Sequence, residues 1–180
     1  MAIRNLRYDG DMILYKESKE VEVFDEHIKQ IVEDMFETMY KYNGVGLAAP
    51  QIGILKRILV IDTGEKDEKL EMINPKITKL EKEVILSEGC LSFPNVFGNV
   101  RRYNYTEAEY MTKDGEKKTI KAEGLLAQAI QHEIDHLNGI LFIDQVIDGQ
   151  FYTFDEKGKK KNIVYLSLIH ISEPTRLLSI

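Results

Sequence analysis

The 180-residue chain has a single cysteine, Cys90, and no tryptophan. A lone thiol cannot close an intramolecular disulfide, so the sequence does not suggest an oxidising compartment. The missing tryptophan excludes nothing. Positive charge is also short: 24 Lys and Arg stand against 30 Asp and Glu, a formal net charge of −6. That balance disfavours nucleic acid as a partner, because polyanion binding is driven by a basic surface. No apolar run approaches the roughly 20 residues that span a bilayer. The amino-terminal stretch MAIRNLRYDGDMILY interrupts each apolar stretch with charge, so it lacks the roughly 7 to 15 residue apolar core of a signal peptide. A cytoplasmic location without membrane attachment is the expectation. What is present is 43% hydrophobic and 30% charged residues, an ordinary globular composition. The length suits one domain with a sizeable core.

From Asp25 onward Ile28, Ile31, Val32, Met35, Phe36 and Met39 recur at three- and four-residue spacing, with Asp25 placed to cap and Glu26 in the first turn. This predicts a helix from Asp25 to Tyr42, stopped by Asn43-Gly44. Branched residues then predict strands at Arg57–Asp62, Leu70–Asn74, Ile77–Leu80 and Glu83–Ser87, with Asn74-Pro75 as a turn. Tyr103–Thr112 reads as a strand, and Lys113-Asp114-Gly115-Glu116 turns it into Lys117–Ala122. A second helix is predicted over Gly124–Asn138 before Gly139 ends it. One helix, many strands and one helix make an α+β order, with mostly antiparallel sheets packed around the central second helix.

The run Lys157–Lys161 reads as a solvated turn. The last fifteen residues, Leu166–Ile180 (LSLIHISEPTRLLSI), turn abruptly apolar and look like translated sequencing-adapter sequence. Residues 1–165 are therefore taken as one domain, and 166–180 as a non-native tail.

The second helix carries QHEIDH, with His132, Glu133 and His136. Side chains four apart on a helix share a face, so the two imidazoles can reach one cation while Glu133 flanks it. A hydrolytic metal site needs a third ligand and an open position. Downstream candidates are weak: the metzincin spacing falls on Phe142, and Glu156 lies in a predicted exposed turn. Upstream, SEGCLSFP offers Cys90, which as a thiolate completes a Cys-His₂ set and as a thiol is simply a small buried side chain. A third segment, GVGLAAPQIG, satisfies the dinucleotide pattern G-x-G-x-x-A, but it follows a helix and runs into Pro50, the wrong context for that motif. The alternative is a glycine-permitted loop close to substrate, with Gln51 offering an amide donor.

In this order and at this spacing GVGLAAPQIG, EGCLSFP and QHEIDH resemble the three signature motifs of peptide deformylases, over about Arg4 to Asp148. Gln128 departs from the pattern, where relatives often carry Arg or an apolar residue, and an altered pocket rim is expected. The resemblance implies a metal-dependent hydrolase that removes formyl from the N-terminal formylmethionine of nascent polypeptides and releases formate. Cys90, His132 and His136 hold one divalent metal, typically Fe²⁺ in the family, with Zn²⁺, Ni²⁺ or Co²⁺ as alternatives, and leave room for a water. Glu133 is the general base and acid, while the Gln51 side chain and the Leu91 backbone N–H meet the oxyanion. Val45, Gly46, Leu86, Gly89, Leu125 and Ala129 receive the substrate backbone and methionine side chain, and Glu88 pairs with Arg102 to support the Cys90 loop. The expected partners are N-formylmethionyl nascent peptides and a transient ribosome contact, met by a monomer.

Overall fold

The computed structural model describes residues 2–65 and 69–166. Apart from Leu166, the tail assigned to 166–180 lies outside the described residues. Helix α1 runs over Glu26–Lys41; its N-cap is Asp25, whose carboxylate accepts the Ile28 N–H at 3.0 Å. Asn43, at φ 54°, makes the left-handed turn that ends it. Helix α2 spans Gly124–Leu137 and stops at Gly139, where φ is 71° and a Cβ would lie 2.6 Å from the Tyr15 carbonyl. Only glycine fits that closure. Among the described residues no helix is long and apolar enough to cross a membrane.

The strands are β1 (Gly46–Ala48), β2 (Ile58–Ile61), β3 (Leu70–Cys90), β4 (Phe93–Met111), β5 (Lys117–Glu123), β6 (Phe151–Phe154) and β7 (Lys160–Ile163). They join in the order β1-β2-β3-β4-β6-β7, with β5 also on β4, and every pairing between them is antiparallel. Two layers of core follow from β2, whose four residues are all fully buried. Ile58 and Val60 face α1, packing with Ile31, Val32 and Met35, whereas Leu59 and Ile61 face α2, packing with Ile130, Ile134 and Leu137. A strand buried on both sides reads as a continuous apolar run, here ILVI, because both alternating faces need apolar residues.

Besides β1, which lies where the sequence reading placed a loop, and β6, which it did not include, the sheet departs from that reading in three places. The predicted pieces 70–74, 77–80 and 83–87 form one strand, β3, irregular between Ile73 and Lys76 and between Ile77 and Lys79. Asn74 (φ 50°) and Pro75 lie in the first irregularity, where a bulge tolerates a residue that cannot join the ladder. The Asn74 side chain clips this bulge to the Val21 backbone at 2.8 and 2.9 Å. Strand β4 begins at Phe93 rather than Tyr103, so EGCLSFP is the tip of the β3–β4 hairpin. Finally, Lys160 and Lys161 of the lysine run belong to β7, and the solvated turn is confined to Asp155–Lys159, where the Asp155 carboxylate accepts two backbone N–H groups at 2.9 Å each.

Candidate active site

The hairpin tip delivers Cys90 to the inner face of α2. His132 and His136 stand one turn apart there, both buried, with ring centroids 5.0 Å apart. One donor atom from each of Cys90, His132 and His136 falls within 4.8 Å of the others, and Cys90 Sγ lies 3.2 Å from His136 Nε2. Among the described residues this is the group of ligand side chains able to share one cation. Phe142, at the alternative ligand position, is buried beneath His132 with ring centroids 6.2 Å apart, and Glu156 is exposed in the β6–β7 turn.

Behind these three side chains runs a charged network. Glu88 Oε2 lies 2.9 Å from His132 Nδ1, so Nδ1 carries the proton and Nε2 keeps its lone pair for the cluster. Arg102 donates to both oxygens of Glu88 at 2.8 and 3.0 Å and to Asp135 at 2.5 Å, and Gln145 donates to Asp135 at 2.9 Å. Burial pushes the Glu88 carboxyl up, but the hydrogen bonds from His132 and Arg102 outweigh it and hold the pKa at about 2. Asp135 escaped the sequence reading although it stands within QHEIDH; its partner is 33 residues away. Gln128, flagged only as a departure, donates to the Ser87 carbonyl at 3.2 Å and to Glu88 at 3.3 Å.

Glu133 is 4% exposed, and one carboxylate oxygen, Oε2, has no hydrogen-bond partner. Burial raises its pKa to about 7. Opposing shifts mark the two imidazoles. Burial pushes both down, yet the hydrogen bonds His132 makes to Cys90 and Glu88 hold it well above its ordinary value, while burial leaves His136 well below. A buried carboxylate with one oxygen unpaired, two imidazoles and a thiol converge on one point. The donor set of one sulfur and two imidazoles suits a four-coordinate divalent transition ion with one position open. These residues therefore fit such an ion.

Gln51 sits on the short helical turn Ala49–Ile52 that follows β1. Its Oε1 accepts the Ala48 N–H at 2.8 Å, and its Nε2 lies 3.4 Å from Cys90 Sγ and 3.2 Å from Ser92 Oγ. Leu91 is half-buried in the hairpin turn beside Gly44. A cavity of about 720 Å³ opens in front of the cluster and is lined by Val45, Gly46, Gly89, Leu91, Leu125 and Ala129 together with Gln51, Glu133, Cys90 and His132. Leu86 is the candidate pocket wall outside this lining. It shares a strand face with Glu88 but lies two residues further along β3, about 7 Å at strand rise. The glycines are required by the chain itself as well: a Cβ at Gly46 would collide with Glu133 Oε1, and one at Gly89 would lie 2.7 Å from the Phe97 ring. Leu6, Tyr8 and Phe97 also line the cavity, brought there by long-range packing that no local pattern announces.

An antiparallel α+β domain in which a helix-borne HExxH faces a hairpin cysteine defines a class: enzymes built around a single Cys-His₂ site. The description "Polypeptide deformylase" matches residues 3–151, and the chain belongs to that enzyme family. A peptide deformylase of Acetivibrio thermocellus is 53% identical over 161 residues, covering 89% of this chain and 92% of that protein. The crystal structure of the Thermotoga maritima peptide deformylase superposes with a TM-score of 0.78 at 42% identity, covering 82% of this chain and 99% of that one. A Legionella pneumophila peptide deformylase gives 0.79 at 44% identity, with 82% and 88% covered.

Proposed function

We propose that this enzyme hydrolyses the formamide of N-formylmethionyl peptides, releasing formate and a free amino terminus. The observation that carries the reading is the Cys90–His132–His136 group beside the buried, half-unpaired carboxylate of Glu133 at the floor of an apolar-walled cavity. Cys90, His132 and His136 would hold one divalent ion, Fe²⁺ on the family resemblance, and when bound such an ion acts as a Lewis acid that makes water nucleophilic near neutral pH.

The chain's own groups do the rest. Glu133, with a pKa brought to about 7 by burial, accepts the proton of the attacking water at a carboxylate oxygen and returns it to the departing amine. The Gln51 amide and the Leu91 backbone N–H meet the oxygen on which negative charge develops; removing one such donor costs about 10² to 10³ in turnover. Val45, Leu125 and Ala129 line the part of the cavity suited to an unbranched thioether side chain. Glu88 keeps His132 in the tautomer the cluster needs, and Arg102 keeps Glu88 ionised.

The test is formate release from a formyl-Met-Ala peptide by the wild-type protein and by Glu133→Ala. Activity in the wild type and none in the variant is expected. Undiminished turnover in the variant would remove Glu133 from its role. Cleavage of unformylated casein that survives Cys90→Ser would point instead to an endopeptidase.

A further inference from the structure

The motif Cys90-Leu91-Ser92 supplies a ligand and a backbone donor in its first two residues; the third is fully buried and has so far been given no task. Its hydroxyl lies 3.2 Å from Gln51 Nε2. Backbone bonds from one segment hold both partners: the Arg7 N–H donates to the Gln51 carbonyl at 2.7 Å, and the Asp9 N–H to the Ser92 carbonyl at 3.2 Å. Ser92 Oγ and the Gln51 carboxamide are thereby fixed opposite each other across 41 residues of sequence.

A primary carboxamide has one oxygen and two N–H bonds in a plane. In Gln51 the oxygen is taken by the Ala48 N–H, which decides which end of the amide is which. Of the two N–H bonds, one is spent on Ser92 Oγ and the other is aimed toward Cys90 Sγ and the cavity. The Ala48 N–H and the Ser92 hydroxyl hold the plane from its two ends; without Ser92 the Nε2 end keeps only the longer 3.4 Å contact to Cys90 Sγ. We propose that Ser92 is a positioning residue that sets the direction of the Gln51 amide, so that its second N–H points where the oxyanion forms. Gln51 is 1% exposed and Ser92 fully buried, so the N–H that loses its acceptor is left unsatisfied and the amide tilts toward its remaining contact. Serine suits the position because its Oγ accepts from the buried Gln51 amide.

The inference rests on the deformylase reading and is tested with it. Turnover of a formyl-Met-Ala peptide, metal content and melting temperature are measured for wild type, Ser92→Ala, Gln51→Ala, the double variant and Ser92→Thr. Losing the anchor while Gln51 remains should lower kcat roughly 5- to 20-fold with KM within about twofold, less than the 10² to 10³ for losing the donor itself. The double variant is expected to match Gln51→Ala, because a residue that acts only through Gln51 has nothing left to act on. Ser92→Thr keeps the hydroxyl and is expected to retain most of the turnover. Multiplied losses in the double variant, a threonine variant as slow as the alanine one, or a Ser92→Ala deficit that tracks lost metal would each overturn the proposal. A wild type that releases no formate overturns the deformylase reading instead, so the two failures are distinct.

Discussion

Replacing Arg102 by alanine should be among the most destabilising single changes near the site that leave Cys90, His132 and His136 in place. Arg102 is 5% exposed and bridges two carboxylates, with paired bonds to Glu88 at 2.8 and 3.0 Å and one to Asp135 at 2.5 Å. Glu88, 4% exposed, is held at a pKa of about 2 against an ordinary 4.5. That displacement corresponds to about 3 kcal/mol of native-state preference for the charged form. His132 supplies part of it, but deleting Arg102 also strands a buried charge, and comparable truncations of buried pairs cost about 3 to 5 kcal/mol. A value near 3 kcal/mol lowers the melting temperature by roughly 6 to 12 °C in a domain of this size. The assay is thermal unfolding of chelator-treated wild type and Arg102→Ala between pH 3 and 8, so that ion release does not add to the difference. Because the Glu88 pKa is depressed, its contribution is fully present above pH 4.5 and fades as pH falls from there toward 2. The gap between the proteins should therefore be constant above about pH 5 and narrow below it. A variant that melts within 2 °C of wild type at neutral pH, or a gap that widens on acidification, would refute this account of the network.

Glu133 gives the opposite sign. Its folded pKa, raised to about 7, means that its contribution to metal-free stability is lost as pH rises from 4.5 through 7. Metal-free Glu133→Gln should be more stable than wild type at pH 8 by about 1 to 3 kcal/mol, converge with it below pH 4.5, and release no formate when loaded. Urea midpoints at the two pH values check this. Gly46→Ala puts a methyl into Glu133 Oε1 and within 3.0 Å of its Cγ and Cδ. Turnover should fall at least about tenfold with metal content unchanged, as displacing a catalytic group predicts. Leu59→Ala removes a fully buried side chain that faces α2, and a loss of about 2 to 5 kcal/mol in urea unfolding is expected.

The helices were legible because their signals are local. Asp25 and the apolar spacing from Ile28 to Met39 all act within one segment, and the HExxH of α2 carries its chemistry in a single turn and a half. Strand β2 announced its double burial through ILVI. Strand β3 was divided because Asn74-Pro75 is a turn signal wherever strands end, and a bulge uses the same residues to continue one. Strand β1 is too short to show alternation, and β6 and β7 bury little. That Cys90, His132 and His136 come together beside Glu133 could be read from motifs. Asp135, Gln145 and Ser92 could not, since each takes its meaning from a hydrogen bond made across the fold. Leu86 failed to reach the cavity for a related reason: residue type suggested a wall, and strand rise placed it elsewhere.

The central claim is that formyl hydrolysis depends on one ion held by Cys90, His132 and His136. Metal-free protein titrated anaerobically with Fe²⁺ should release formate from formyl-Met-Ala at a rate that rises linearly and saturates at one ion per chain, with Cys90→Ala flat throughout. Full activity before any ion is added, or an unaltered titration in Cys90→Ala, would contradict it.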